Sequence, residues 1–244
     1  MIKQLTFLGL LWILISNSLA TTQEEERAWW ISMEGWQSHR GDPNYTALNA
    51  ILNTSAGEYT HLRGGHRTDE PREFEIGGAL GYHFWSRFNL SSRLTYLRIE
   101  TAGYFVDMSR EYTMKWTTQA TIPSFRLEFY LPIAEAKSIR TKLFIGFDYY
   151  FLTTQIQSKP YIEQILDTRA RGGDLGYHTG GGVEIRVFSK LSLLLDTTFW
   201  YATITPIKAN SQTLKMSDFR HESDDDLMLH LDGNSYQIGL RYYF

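Results

Sequence analysis

The chain has 244 residues, of which 43 % are hydrophobic and 15 % aromatic, and its 24 basic and 27 acidic side chains leave a formal charge of −3. That balance is too even to imply a nucleic-acid partner, and the absence of cysteine excludes disulfides and thiolate metal sites. Mean hydropathy is negative, and nothing after Ala20 approaches the roughly 20 apolar residues of a spanning helix.

The chain opens with Lys3, an apolar run from Leu5 to Ile15, and Ser18-Leu19-Ala20 with small residues at both ends. A short basic region, a short apolar region and a small-x-small site make a secretory signal peptide over residues 1–20. No cysteine follows for lipid attachment. Losing Lys3 with the signal would leave 23 basic against 27 acidic residues, or −4.

Eight strand candidates follow, each marked by alternation, because a strand sends successive side chains to opposite faces. The first is about Ala28–Ser38, with Trp29, Ile31, Met33 and Gly35 on one parity and Trp30, Ser32, Glu34 and Trp36 on the other. In the second, about Glu73–Trp85, Phe74, Ile76, Gly78, Leu80, Tyr82 and Phe84 point outward; Glu75, Gly77, Ala79, Gly81 and His83 point inward. The third, about Leu90–Tyr104, changes phase between Leu94/Tyr96 and Leu97/Ile99, which predicts a bulge. The fourth, about Gln119–Leu131, has Phe125, Leu127, Phe129 and Leu131 outward and Arg126, Glu128 and Tyr130 inward, with Pro123 expected near its start.

The fifth, about Thr141–Gln155, has Leu143, Ile145, Phe147, Tyr149 and Phe151 outward and Asp148 inward. The sixth is about Asp174–Phe188, with Tyr177, Val183, Ile185 and Val187 outward and His178, Glu184 and Arg186 inward. The seventh, about Leu191–Thr205, turns Leu193, Leu195, Phe199 and Tyr201 outward and Ser192, Asp196 and Thr198 inward. The eighth, Asn234–Phe244, places Tyr236, Ile238, Leu240, Tyr242 and Phe244 on one face and Ser235, Gln237, Gly239, Arg241 and Tyr243 on the other. Short links join strands two–three, four–five and six–seven, whereas His39–Arg72, Phe105–Thr118, Ile156–Gly173 and Pro206–Gly233 are long. An apolar exterior, a polar interior and links alternating in length predict an eight-stranded antiparallel up-and-down transmembrane β-barrel with short periplasmic turns and long extracellular loops.

The terminal run resembles the C-terminal signature of bacterial outer-membrane proteins, and Gly180-Gly181-Gly182-Val183-Glu184-Ile185-Arg186-Val187-Phe188-Ser189-Lys190-Leu191-Ser192-Leu193 resembles a hairpin of the small eight-stranded outer-membrane barrels. That group includes the OmpA-type transmembrane domain and the OmpX-like and opacity-type proteins. The resemblance implies an outer-membrane location, residues 21–27 as a short periplasmic segment and 28–244 as one barrel domain. It also implies that the barrel-assembly machinery reads Tyr236, Ile238, Leu240, Tyr242 and Phe244. Outer-membrane lipid and lipopolysaccharide are the expected partners, with a possible extracellular ligand at the loops.

Glu34, Glu75, Glu128, Asp148, Glu184 and Asp196 face inward with Arg93, Arg126, Arg186 and Arg241, joined by His83 and His178. An eight-stranded barrel is only just wide enough for its side chains, and unpaired buried charge is costly. The expectation is therefore a salt-bridged polar plug. The inward glycines Gly77, Gly81, Gly146, Gly180 and Gly182 would give the arginines room.

The loops carry weaker signals. His61, Arg63, His66 and Arg67 suit lipopolysaccharide phosphates but read first as a solvated loop, and Tyr45–Leu52 suits a short helical turn. Asp218, His221, Glu222, Asp224, Asp225 and Asp226 lack the spacing of a calcium loop, so no metal or cofactor is assigned. Asn44, Asn53 and Asn89 match the glycosylation pattern by chance.

No Gly-x-Ser-x-Gly, His-Glu-x-x-His or phosphate-loop motif occurs, and His178 is followed by Thr179-Gly180 rather than by serine at the second position, so no catalytic residue is named. The leading expectation is a non-enzymatic surface protein serving envelope integrity, adhesion or surface interaction. A narrow porin-like channel or carrier of small solutes or hydrophobic molecules is the alternative, and a lipid-modifying enzyme the third. A soluble barrel with an apolar interior is rejected, because eight strands cannot enclose so many large aromatics.

Overall fold

Apolar and polar residues alternate along eight long antiparallel strands of a computed structural model. It describes residues 29–40, 67–68, 72–85, 87–107, 110–132, 138–159, 168–209, 211–214, 226 and 228–244. They are β1 (Trp29–Arg40), β2 (Arg72–Trp85), β3 (Phe88–Asp107), β4 (Arg110–Tyr130), β5 (Ile139–Lys159), β6 (Thr168–Phe188), β7 (Leu191–Ile204) and β8 (Gly233–Tyr243). Each pairs with its sequence neighbour, and β1 pairs with both β2 and β8. The ring is closed, which leaves no sheet edge to lipid. The expected signal peptide, residues 21–27 and the Tyr45–Leu52 turn lie outside the described residues.

Three sequence expectations are corrected. The first is strand length: β3 has 20 residues and β4, β5 and β6 have 21 each. The expected Phe105–Thr118 loop is mostly strand, since Asp107 pairs with Arg110. Much of the expected Ile156–Gly173 loop is strand as well, because β5 runs to Lys159 and β6 begins at Thr168. A bilayer needs only about 9–11 tilted residues per strand, so these strands run well beyond it.

The second concerns Pro123, which lies in mid-strand rather than near the start of β4. The ladder from β4 to β5 lapses at Ile122 and Pro123 and resumes in register at Ser124↔Asp148. A proline lacks the N–H for one ladder bond, and the intact β3 side, with Leu94↔Pro123, holds the strand in place.

The third is the bulge in β3. Its pairing with β4 keeps one register from Phe88↔Phe129 to Asp107↔Arg110. Leu90, Leu94 and Tyr96 are exposed on the outside, while Leu97 and Ile99 are buried within. The backbone keeps its phase and the surroundings change. Up to Tyr96 the outside is apolar and the inside polar; beyond it Arg98 is outside and apolar residues are inside. On β4 the buried Trp116, Ala120 and Ile122 alternate with Lys115, Thr117, Gln119 and Thr121 in the same reversed sense. The barrel thus has two storeys, one for lipid and one for water, since apolar surface is withdrawn from whichever side is wet. The upper storey has the apolar interior rejected for the chain as a whole.

The upper core joins Leu97, Ile99, Trp116, Ile122, Leu152 and Ile204 with Ile207, Leu229 and Leu231 from the last connection. Leu229↔Ile204 continues the β7–β8 register, and the Leu231 amide donates to the Ala202 carbonyl at 2.8 Å. Part of the expected Pro206–Gly233 loop therefore caps the interior.

Candidate functional site

The lower storey gathers the inward charges. Arg241 on β8 crosses the interior to β4, where its Nη2 lies 2.9 Å from both Glu128 carboxylate oxygens. Its Nη1 is 3.1 Å from Glu184 Oε2 on β6 and donates to the Tyr130 hydroxyl at 2.9 Å. The guanidinium lies 3.7 Å from the centre of the Trp30 ring, a cation–π contact from β1. Tyr243 donates to Glu184 at 2.6 Å, and Tyr130 also donates to Glu184. Asn89 donates to Glu128 and to Tyr130 at 3.1 Å, and its own oxygen meets the His83 ring. One arginine therefore ties four strands together, β8, β4, β6 and β1, and its residue is 0 % exposed.

The network continues through Lys142, whose Nζ is 3.4 Å from Glu128 and 2.9 Å from Asp196. Arg126 Nη1 is 3.6 Å from Asp196, and its Nε donates to His178 Nε2 at 3.1 Å. That donation leaves the His178 proton on Nδ1, which faces Asp148 at 2.9 Å. Both ring nitrogens are engaged, so this buried histidine has none left to activate a serine. A second group pairs Arg93 Nη2 with Glu34 at 2.8 Å, and Ser32 donates to the same carboxylate at 2.9 Å. Glu75 is buried close enough to act electrostatically on Arg93. Acids and bases at such separations suit charge-assisted pairing, with the arginine fork adding geometric selectivity.

Nine of the ten charges expected inward, Glu34, Glu75, Arg93, Arg126, Glu128, Asp148, Glu184, Asp196 and Arg241, are buried, and Arg186 is not. Arg186 shares the parity of Glu184, but the β6–β7 register shifts between Arg186 and Phe188 at the turn end. There the guanidinium reaches water and avoids the cost of desolvation. Sequence reasoning left out Lys142, although it stands six residues before Asp148 on the same face of β5. It also left out Trp30, Asn89 and Tyr243 as partners of the charges. Asn89, one of the three glycosylation-pattern asparagines, is buried in this network.

The inward glycines make room for rings and a carboxylate rather than for arginines. A Cβ on Gly81 would stand 2.1 Å from the Trp30 ring; on Gly146, 2.3 Å from the His178 ring; on Gly180, 2.1 Å from the Thr197 carbonyl and 2.6 Å from Phe144; on Gly182, 2.1 Å from Asp196. One on Gly77 would meet the Leu94 carbonyl at 2.9 Å. Trp30 is buried and stacked against Arg241, which limits its retreat. Gly81→Ala should therefore destabilise the barrel by about 1–3 kcal/mol through overpacking. Gly35→Ala, where no atom lies within 4 Å of the added carbon, should leave it unchanged. Urea unfolding of the two variants side by side checks this.

Tyr236, Ile238, Leu240, Tyr242 and Phe244 are exposed along the lipid-facing side of β8. Of the loop residues singled out, His61, Arg63, His66, Asp218, His221, Glu222, Asp224 and Asp225 lie outside the described residues. Arg67 pairs with Tyr104 through the backbone, and Asp226 is exposed.

No family model matches the chain, and no curated protein matches it. Among solved structures it is similar to the outer-membrane protein OprG of Pseudomonas aeruginosa, with a TM-score of 0.47, 10 % identity, and 89 % of this chain and 96 % of that one covered. It is also similar to the N-terminal β-barrel domain of Pseudomonas aeruginosa OprF, with a TM-score of 0.42, 12 % identity, and 90 % and 100 % covered. A third similarity is to Ail, the attachment invasion locus protein of Yersinia pestis, with a TM-score of 0.32, 12 % identity, and 91 % and 100 % covered.

Proposed function

We propose that this chain is an integral outer-membrane β-barrel with a closed, salt-bridged lumen, acting non-enzymatically through its extracellular storey in envelope integrity, adhesion or surface interaction. The observation that carries this reading is the Arg241–Glu128–Lys142–Asp196–Arg126 chain of contacts, which crosses the interior from β8 to β4 and β5 and links these to Asp196 on β7, with every member buried. The apolar layer above it supports closure a second time, because an ion crossing Leu97, Trp116 and Ile204 would shed its hydration without compensation. The lipid-facing β8 side chains fit recognition by the barrel-assembly machinery.

Refolded protein in a planar bilayer should give no discrete conductance steps, with heat-shifted mobility on a gel reporting that it has folded. Stable ion-selective steps would sink the closed lumen and promote a narrow channel in which the inward Arg and Glu residues set selectivity.

A further inference from the structure

Above the lipid-facing belt, the outer wall carries basic residues that play no part in the interior network. On β3 and β4, Arg98 and Lys115 both reach Glu100, with Lys115 Nζ 3.0 Å from its carboxylate. Hydrogen bonding from Lys115 holds the Glu100 carboxyl below the usual carboxylate range, so it stays ionised and offsets those cations. Around the wall, on β6 and the continuation of β7, the balance differs. Arg171 stands opposite Lys208, and Arg169 follows on the same face two residues away. All three are exposed, and no carboxylate among the described residues pairs with them. Their neighbours across β5, Thr153 opposite Arg171 and Gln155 opposite Arg169, are neutral.

The height of this patch identifies its partner. Leu175, the last large apolar residue outside β6, is 69 % exposed. Beside it run Tyr149 and Phe151, 4.8 Å apart, and the stacked pair Tyr177 and Tyr201, 4.9 Å apart. Such rings mark the membrane interface. Arg171 is four residues further along, roughly 13 Å of strand, and about 10 Å higher once the strand tilt is allowed for. That is where the headgroups lie, and a long basic side chain can reach down to them.

We propose that Arg169, Arg171 and Lys208 form a binding site for the phosphates of a phosphorylated glycolipid in the surrounding outer leaflet. The two guanidiniums present planar forks suited to phosphate oxygens, and Lys208 adds a point charge between them and the capping segment. Because Lys208 stands next to the buried Ile207, lipid bound there would also hold the cap against the barrel wall. This inference rests on the outer-membrane reading.

The test uses full-length folded protein, with diphosphoryl lipid A, dephosphorylated lipid A and inorganic phosphate as probes, and native mass spectrometry as the readout. Diphosphoryl lipid A should bind more tightly than the dephosphorylated form, and R169Q/R171Q/K208Q should weaken it by about tenfold or more. R98Q should leave binding unchanged, and millimolar inorganic phosphate should not displace the lipid. Lipid binding by the triple variant equal to wild type, equal affinity for the dephosphorylated lipid, or displacement by free phosphate would each overturn the site. Heat-shifted mobility and insertion into phosphatidylcholine vesicles separate the two failures. A chain that does not insert defeats the membrane reading and the site with it; an inserted chain indifferent to lipid phosphate defeats the site alone.

Discussion

Arg241→Ala is expected to lower the unfolding free energy of the barrel by about 3–5 kcal/mol, the usual cost of removing one partner of a buried ion pair. The side chain holds Glu128 and Glu184 together, donates to Tyr130 and stacks on Trp30. Its loss leaves two carboxylates facing each other across a narrow interior. Glu128 keeps Lys142 at 3.4 Å, and Glu184 keeps the two tyrosine hydroxyls. Urea unfolding followed by heat-shifted mobility measures the effect. Replacing Glu128 and Arg241 together, as Glu128→Gln with Arg241→Met, should cost less than Arg241→Ala alone, because one of the two uncompensated carboxylates goes with its partner. An unfolding midpoint for Arg241→Ala equal to wild type would show that the interior does not depend on this contact.

Trp116→Ala is expected to cost about 3–5 kcal/mol as well, by the different route of cavity formation. Trp116 is fully buried in the upper storey, and its indole N–H donates to the Thr154 hydroxyl. Removing it opens a void among Leu97, Ile122 and Leu152, where no lipid can flow in to fill it. The damage should be confined to one storey. In vesicles, external protease should cut β3–β6 beyond the belt while the membrane-embedded segments stay protected. Leu94→Ala, at a position 58 % exposed on the lipid side, should leave protease resistance at wild-type level. An upper storey as resistant in Trp116→Ala as in wild type would show that the apolar interior does not support it.

The two storeys also explain what the sequence conceals. The phase break between Tyr96 and Leu97 is plain in the sequence, and a backbone bulge is the local explanation for it. The ladder runs through it unbroken. The Thr-rich stretch around Trp116 alternates as well as any other strand, but its apolar parity points inward and its polar parity outward, opposite to the lower half of β4. A pattern judged by an apolar outside reads that stretch as loop, and β4 is therefore longer than expected at its outer end. The error at Arg186 has a related origin: parity places it inside, but parity does not say how close to the mouth a residue lies.

The strand count, the closed antiparallel order, the parity of each lower strand and nine of the ten inward charges were legible from the chain, because alternation is a local property written two residues at a time. Which charges meet was not legible. Arg241 and Glu128 are separated by 113 residues and touch only because the ring closes and the strands tilt. The height at which the barrel turns inside out was not legible either. The hydrophobic effect withdraws apolar side chains from water, and whether water lies inside or outside a given stretch of strand is decided by the whole wall and the membrane around it, not by the stretch itself.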